Sequence, residues 1–374
     1  MPDQATLNHA AQVLAQISSD QRADTALRFY FEHHRYLQPP ARRAISHTVF
    51  AYFRWLSWLD PKLSPQKRLE QAFSMHERNL ADEKSVKAET LAVRAVPAWI
   101  ATEMDLPADY LRQIQREPAL WLRARPGRGA DLAKSLFAAE ATDHAPDALR
   151  FTGTQDLFKT EQFKTGEFEI QDLASQLVSH AAAPKPGETW WDACAGEGGK
   201  TLHLADLMGN KGTVWASDRH TRRLDTLKRR AARAKIFNYR VAAWETPEKL
   251  PTKTKFDGIL VDAPCSGVGT WQRNPHARWT TTPADVAELA GVQLALLNQV
   301  VGSLKPGGRI IYAVCTLTRS ETNAVADAFS AAHPELVPLD LTASRLQPAT
   351  PRLTLWPHAL NANGMFIAGW KRTK

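Results

Sequence analysis

Cysteine is scarce in this chain, with three in 374 residues. Three thiols cannot build a disulfide framework, and no pair has the spacing of a zinc site. A disulfide-stapled fold is excluded, no metal is expected, and a reducing compartment, the cytoplasm, follows. Long apolar runs are also missing. None approaches the roughly 20 residues of a membrane span, and Met1-Pro-Asp-Gln-Ala-Thr lacks the basic region and apolar stretch of a signal peptide. There is no internal repeat and no low-complexity tract, which removes solenoids and disordered tails. What is present is ordinary for a globular protein: 44% hydrophobic and 23% charged residues, in a length that suggests two or three domains. Acidic residues are outnumbered. The net charge of +8 and a pI near 9.4 fit an anionic partner such as nucleic acid.

Residues 1–115 read as all helix. Leu7, Ala10, Ala11, Val13, Leu14 and Ile17 recur at helical spacing, and Pro39-Pro40 opens a second periodic stretch over 41–59. The aromatic density there (Phe50, Tyr52, Phe53, Trp55, Trp58) reads as a helical core. Shorter helices are expected over 85–94 and 97–103. Residues 118–180 read as a small α+β module, with strands at 120–123, 148–151 and 166–170 and helices at 131–139 and 171–180. Residues 181–374 then alternate strand and helix. Strand-like runs lie at 189–192, 213–218, 239–243, 256–262 and 309–314, with helices over 222–235 and 283–304. This alternation predicts an α/β, doubly wound parallel sheet of the Rossmann-like kind. A hairpin-like pair, 336–341 with 364–370, closes it.

The first of these strands runs into Asp192-Ala-Cys194-Ala195-Gly196-Glu197-Gly198-Gly199-Lys200-Thr201, and a helix follows. Glycines at such a turn let a ligand approach backbone N–H groups at a helix N-terminus. Asp218, at the end of the second strand, sits at the spacing of a ribose-binding carboxylate. The dehydrogenase and phosphate-loop glycine patterns both fail here. That leaves an adenosine ligand without a long phosphate chain, and S-adenosylmethionine fits.

Two of the three cysteines fall just past strand-like runs: Asp262-Ala-Pro-Cys265-Ser-Gly and Tyr312-Ala-Val-Cys315-Thr. Open α/β sheets place their sites at such strand ends, so these thiols are expected to share a pocket. A thiolate adding to C6 of cytosine makes C5 nucleophilic enough to take a methyl group. That chemistry needs a nucleophilic cysteine, an acid near N3 and a base for the C5 proton. Asp262 and Cys265 offer an acid and a second thiol in one rigid turn.

These segments resemble the Sun/Fmu family of RNA cytosine-5 methyltransferases, whose rRNA member is RsmB. Residues 262–267 resemble its fourth motif, 312–316 its sixth and 192–201 its first. Gln171-Asp-Leu-Ala-Ser-Gln176 is similar to the segment before the first motif, and Leu355-Trp-Pro-His358 with Gly364-Met-Phe-Ile-Ala368 to the C-terminal signature. The helical region resembles a NusB-like RNA-binding domain. The resemblance implies that Cys315 attacks C6, that Cys265 assists release of the adduct, and that Asp262 stabilises the ring protonated at N3. It also implies that Cys194, Ala195, Gly196, Glu197, Gly198, Gly199, Lys200, Asp218 and Asp262 contact S-adenosylmethionine. The substrate would be RNA, most simply rRNA, acted on by a monomer.

The chain departs from the pattern in places. Glu197 stands where a proline is usual, Val314 replaces a threonine, Arg125 an asparagine and Asn363 an aspartate. Where the third motif offers an acid to adenine, this chain has Ala243-Trp244-Glu245. Trp244 stacking on adenine and Glu245 substituting for the acid are the two expectations. Lys200 either holds an anionic group or is solvated. The basic run Arg219, Arg222, Arg223, Lys228, Arg229, Arg230, Arg233, Lys235 reads either as a phosphate contact or as a solvated face. Trp271–Trp279 is expected to touch substrate. The rival function is a non-catalytic RNA-binding or ribosome-assembly factor. A DNA cytosine methyltransferase, which relies on the fourth-motif cysteine alone, would leave Cys315 unexplained.

Overall fold

The computed structural model describes residues 1–18, 21–245, 249–344 and 348–373. They form two compact units, 1–118 with 267–285, and 119–266 with 286–374. Among the described residues no helix is long and apolar enough to cross a membrane.

The first unit is helical: Gln4–Leu14, Ala23–His33, Pro39–Arg54, Pro65–Ala81, Ala88–Arg94 and Ala108–Gln113. Asp3 and Ser64 cap two of these helices, accepting from Thr6 N and Lys67 N. Leu7, Val13, Leu27, Tyr30, Val49, Trp55 and Leu69 line its core. The segment 267–285 belongs to this unit, and of the stretch expected to touch substrate Arg273 is exposed while most of its neighbours turn inward. Trp271 and Arg278 are fully buried. Arg278 donates to Ala95 O (2.9 Å) and Ile114 O (2.8 Å), and Trp279 Nε1 to Phe53 O (2.7 Å). A buried guanidinium this well paired is a structural strut, because leaving it unpaired would cost several kcal/mol.

His47, His76 and Glu117 bring three potential metal-ligand atoms within 4.8 Å of one another. The arrangement disfavours a metal. Trp55 Nε1 donates to His76 Nδ1 (3.4 Å), which puts the proton of neutral His76 on Nε2, facing Glu117. Arg54 already occupies the carboxylate at 2.7 Å. Burial raises the Glu117 pKa, but donation from His76 and the charge of Arg54 outweigh it and bring it down to about 2.

The second unit holds two sheets. The smaller is antiparallel, in the order β2-β3-β1-β4, from β1 (Leu120–Ala124), β2 (Ala139–Ala141), β3 (Ala148–Phe151) and β4 (Phe168–Ile170). The expected helix over 131–139 stops at Ser135: Ala138 takes φ +64°, and Ala139 starts β2.

The larger sheet comprises β5 (Thr189–Asp192), β6 (Thr213–Asp218), β7 (Tyr239–Ala243), β8 (Phe256–Asp262), β9 (Leu304–Val314), β10 (Leu336–Pro338), β11 (Arg352–Leu355) and β12 (Met365–Arg372). Its order is β10-β12-β9-β8-β5-β6-β7, with β11 also on β12. Strands β5 to β9 pair in parallel, and β12 runs antiparallel to β9. This is the expected Rossmann-like sheet. Ile259, Leu260, Val261, Ile310 and Ile311 are completely buried. At about 1.5–3 kcal/mol each, such side chains make the central strands the most firmly held part of the unit. The strand order reverses between β5 and β8, so the carboxyl ends of these strands frame the crevice where ligands bind in such sheets.

Candidate active site

The two strand-end thiols, Asp262 and Lys200 meet at this crevice. In register, Asp262 at the end of β8 pairs with Ala313 of β9. Cys265 lies three residues beyond the first and Cys315 two beyond the second, and their Sγ atoms stand 3.3 Å apart. Both are half-buried. Lys200 enters from the turn after β5, and its Nζ donates to Asp262 Oδ2 at 2.7 Å. The side chains are 11% and 28% exposed, so the pair is only lightly screened. Lys200 thus neither binds a free anion nor sits in solvent. Burial lowers its pKa, but attraction to Asp262, and further to Cys315, leaves it raised.

The cofactor turn is built on backbone. Ala195 N donates to Ser217 O (2.8 Å), and Gly196 N to Asp218 Oδ2 (3.0 Å). Gly196 takes φ +53° and a Cβ there would meet nothing within 4 Å, so the turn leaves open space above it. Gly198 takes φ +85° and a Cβ there would stand 2.5 Å from Leu227 Cγ, so only glycine fits. Asp192 is buried with Oδ2 accepting from Thr201 (2.6 Å) and Oδ1 unpartnered. An open glycine cradle, an unpartnered buried carboxylate oxygen and a second acid at the end of β6 suit a cationic adenosine ligand such as S-adenosylmethionine. Cys194 is a poor nucleophile: burial, with Asp192, Asp262 and Asp218 around it, pushes its thiol well up.

One expectation needs revision. Trp244 is buried in the apolar core with its ring 5.2 Å from Trp191, so it belongs to packing and not to an open adenine wall. Glu245 is exposed. Glu197 is exposed too, and its carbonyl accepts from Arg230 Nη1 (3.0 Å), which anchors the turn without using the acid.

No local pattern announces the arginine–carboxylate network behind the turn. Buried Glu169 on β4 accepts from Arg125 (3.1 Å), Arg230 (3.0 Å) and Arg233 (2.7 Å), and Asp206 pairs with Arg123 and Arg125. Burial raises the Glu169 pKa, but Arg230, Arg233 and Arg125 more than reverse it. Arg230 and Arg233 thereby leave the basic run, while Arg219, Arg222, Arg229 and Lys235 stay exposed. Gln171–Gln176 is structural as well. Gln171 accepts from Arg123 (2.7 Å), Gln176 donates to Leu122 O (3.2 Å), and Asp172 accepts the Asn363 backbone N–H (3.1 Å). A backbone donor explains why Asn363 serves as well as another residue.

Residues 179–371 match the sequence profile of the family described as 16S rRNA methyltransferase RsmB/F. The chain is 32% identical over 363 residues to the probable ribosomal RNA small subunit methyltransferase B of Synechocystis sp., covering 90% of this chain and 80% of that one. Against the Bacillus subtilis protein of the same description, identity is 37% over 251 residues, covering 64% of this chain and 56% of the relative. In three dimensions the chain is similar to a methyltransferase homologue from Pyrococcus horikoshii, with a TM-score of 0.62, 26% identity, and 80% and 99% of the two chains covered. A chain that carries this profile over half its length and is this similar to the Synechocystis protein belongs to the RsmB/F family of S-adenosylmethionine-dependent rRNA methyltransferases.

Proposed function

We infer that the protein methylates C5 of a cytosine in small-subunit rRNA through a covalent adduct at C6. The observation that carries this reading is the pair of thiols 3.3 Å apart, beside the Lys200–Asp262 ion pair. Cys315 is the nucleophile: its thiolate bonds to C6, and the ring takes a proton at N3. Asp262, held by Lys200, accepts the N3–H hydrogen bond and disperses the charge. S-adenosylmethionine, when bound by residues 194–200 and Asp218, supplies the methyl group that C5 takes up. A base then removes the C5 proton, the C5–C6 double bond reforms, the Cys315 sulfur leaves with assistance from Cys265, and N3 gives up its proton to leave neutral 5-methylcytosine. The target base has to leave any stack to reach thiols recessed at a strand end.

The two features that favoured a non-catalytic RNA-binding or assembly factor lose their force. Glu197 is exposed and engaged through its carbonyl, and Trp244 is a core residue. Bisulfite sequencing of rRNA from a strain lacking the protein is expected to show one lost 5-methylcytosine; an unchanged pattern overturns the reading. Cys315→Ala abolishes methylation, whereas Cys265→Ala traps a protein–RNA adduct on a denaturing gel. Trapping by Cys315→Ala instead reverses the two roles.

A further inference from the structure

One completely buried carboxylate lies behind the thiols and takes no part in the chemistry above. Glu321 is 0% exposed and accepts five hydrogen bonds from neutral donors. Its Oε1 accepts from Ser266 N (2.8 Å) and Gln293 Nε2 (3.0 Å). Its Oε2 accepts from the hydroxyls of Ser266, Thr316 (3.1 Å) and Thr318 (2.8 Å). Ser266 follows Cys265, and Thr316 follows Cys315. Gln293 is also fully buried and extends the grip. It donates to Pro264 O (2.9 Å), and its Oε1 accepts from Tyr312 Oη (2.9 Å), whose hydroxyl also donates to Glu321 O (2.6 Å).

We propose that Glu321, backed by Gln293, is a positioning residue that ties the Cys265 and Cys315 loops together and sets the separation of their sulfurs. Burying a carboxylate is costly, and a fold keeps one only where its hydrogen bonds repay the cost. Here four of the five bonds come from Ser266, Thr316 and Thr318, close along the chain to one thiol or the other, and the fifth from Gln293, which itself holds Pro264 O beside Cys265. The two loops belong to neighbouring strands and are otherwise bridged beside Glu321 by the Ser266–Thr316 hydroxyl contact (3.0 Å). The acid is thus a pin between two catalytic loops. This inference rests on reading both thiols as reacting groups.

The test uses full-length Glu321→Ala and Glu321→Gln. Glutamine can keep its carbonyl towards Ser266 N–H and Gln293 while its amide donates to the hydroxyls, so its effect should be the smaller. Two readouts are needed. In methyl transfer, Glu321→Ala is expected to lower kcat about 100-fold, with KM for S-adenosylmethionine within about twofold of wild type. Independently of activity, the rate at which diamide closes a Cys265–Cys315 disulfide reports the sulfur separation. The two thiols give up two protons and two electrons, which reduce the azo bond of diamide to a hydrazine. That rate should fall about tenfold or more in Glu321→Ala, because cross-linking demands close sulfurs. If Glu321→Ala does not fold, Ser266→Ala with Thr318→Val removes two hydroxyl donors and should shift both readouts the same way by less. A wild-type kcat with a wild-type cross-linking rate overturns the proposal. A parallel fall in kcat, cofactor affinity and Tm with unchanged cross-linking also overturns it, showing a merely structural role. If the wild-type protein methylates nothing, the functional reading fails while the cross-linking rate still tests the pin.

Discussion

Asp192 should make the protein less stable as pH rises through the acid range, and the size of the effect follows from its surroundings. Burial raises its pKa, the Thr201 hydrogen bond opposes this in part, and the charge of Asp262 adds to the rise; the result is about 7, from an ordinary 3.8. Between these values the folded chain holds a proton that the unfolded chain has released. Stability therefore falls as pH climbs from about 4 to about 7, and the loss is complete above the folded value. The distance from 3.8 to about 7 corresponds to about 4 kcal/mol. Asp192→Asn keeps the shape and an oxygen for Thr201 but cannot ionise. Urea unfolding of both proteins without cofactor, across pH 4 to 8, measures the difference. The curves should meet near about pH 4, and the variant should be more stable by up to about 4 kcal/mol near about pH 8. Groups with depressed values, such as Glu117 and Glu169, act in the opposite direction, but they are common to both proteins and cancel. Parallel curves would refute the reasoning.

Glu169→Gln weakens three arginine contacts on a buried carboxylate, and should cost about 3–5 kcal/mol in denaturant unfolding. Because Arg230 also holds the Glu197 carbonyl, the folded variant should bind S-adenosylmethionine more weakly by calorimetry; unchanged affinity would separate the network from the turn. Gly198→Ala places a Cβ 2.5 Å from Leu227 Cγ at a φ of +85°. It should destabilise the protein by about 1–3 kcal/mol, seen as a lower Tm, and reduce cofactor affinity.

The large sheet was legible because its central strands, such as β5 and β8, are largely buried on both faces and read as short apolar runs between turns. The site residues were legible because strand-end positions are fixed by those runs: Asp262, Cys265 and Cys315 meet because β8 and β9 pair in register. What the sequence hid is of another kind. Glu169 and Glu321 are single acids whose meaning lies in partners far along the chain, such as Arg230, Arg233 and Ser266. Trp271 and Arg278 looked like substrate contacts because they are a cation and an aromatic beside a catalytic motif. Both are buried in the helical unit, and the burial of Arg278 depends on the carbonyls of Ala95 and Ile114, which no local pattern announces. The basic run mixed inward and outward residues, since a helix of mostly one charge gives no sign of which face meets a buried acid.

Two thiols at 3.3 Å are chemically alike, and their neighbours support different roles. Cys315 attracts the Lys200 ammonium, and that attraction helps raise the lysine. A cation at this place favours a thiolate, the form that bonds to carbon. Cys265 faces Tyr312, a phenol that burial, with Cys265 and Glu321 adding, keeps firmly protonated. In the proposed reaction, Cys265 stands 3.3 Å from the departing Cys315 sulfur, close enough to assist its elimination from C6. Lys200 is thus more than a cofactor-turn residue: it is paired with Asp262, the acid that steadies the ring in the proposed reaction, and is drawn electrostatically to Cys315, the sulfur proposed to attack it.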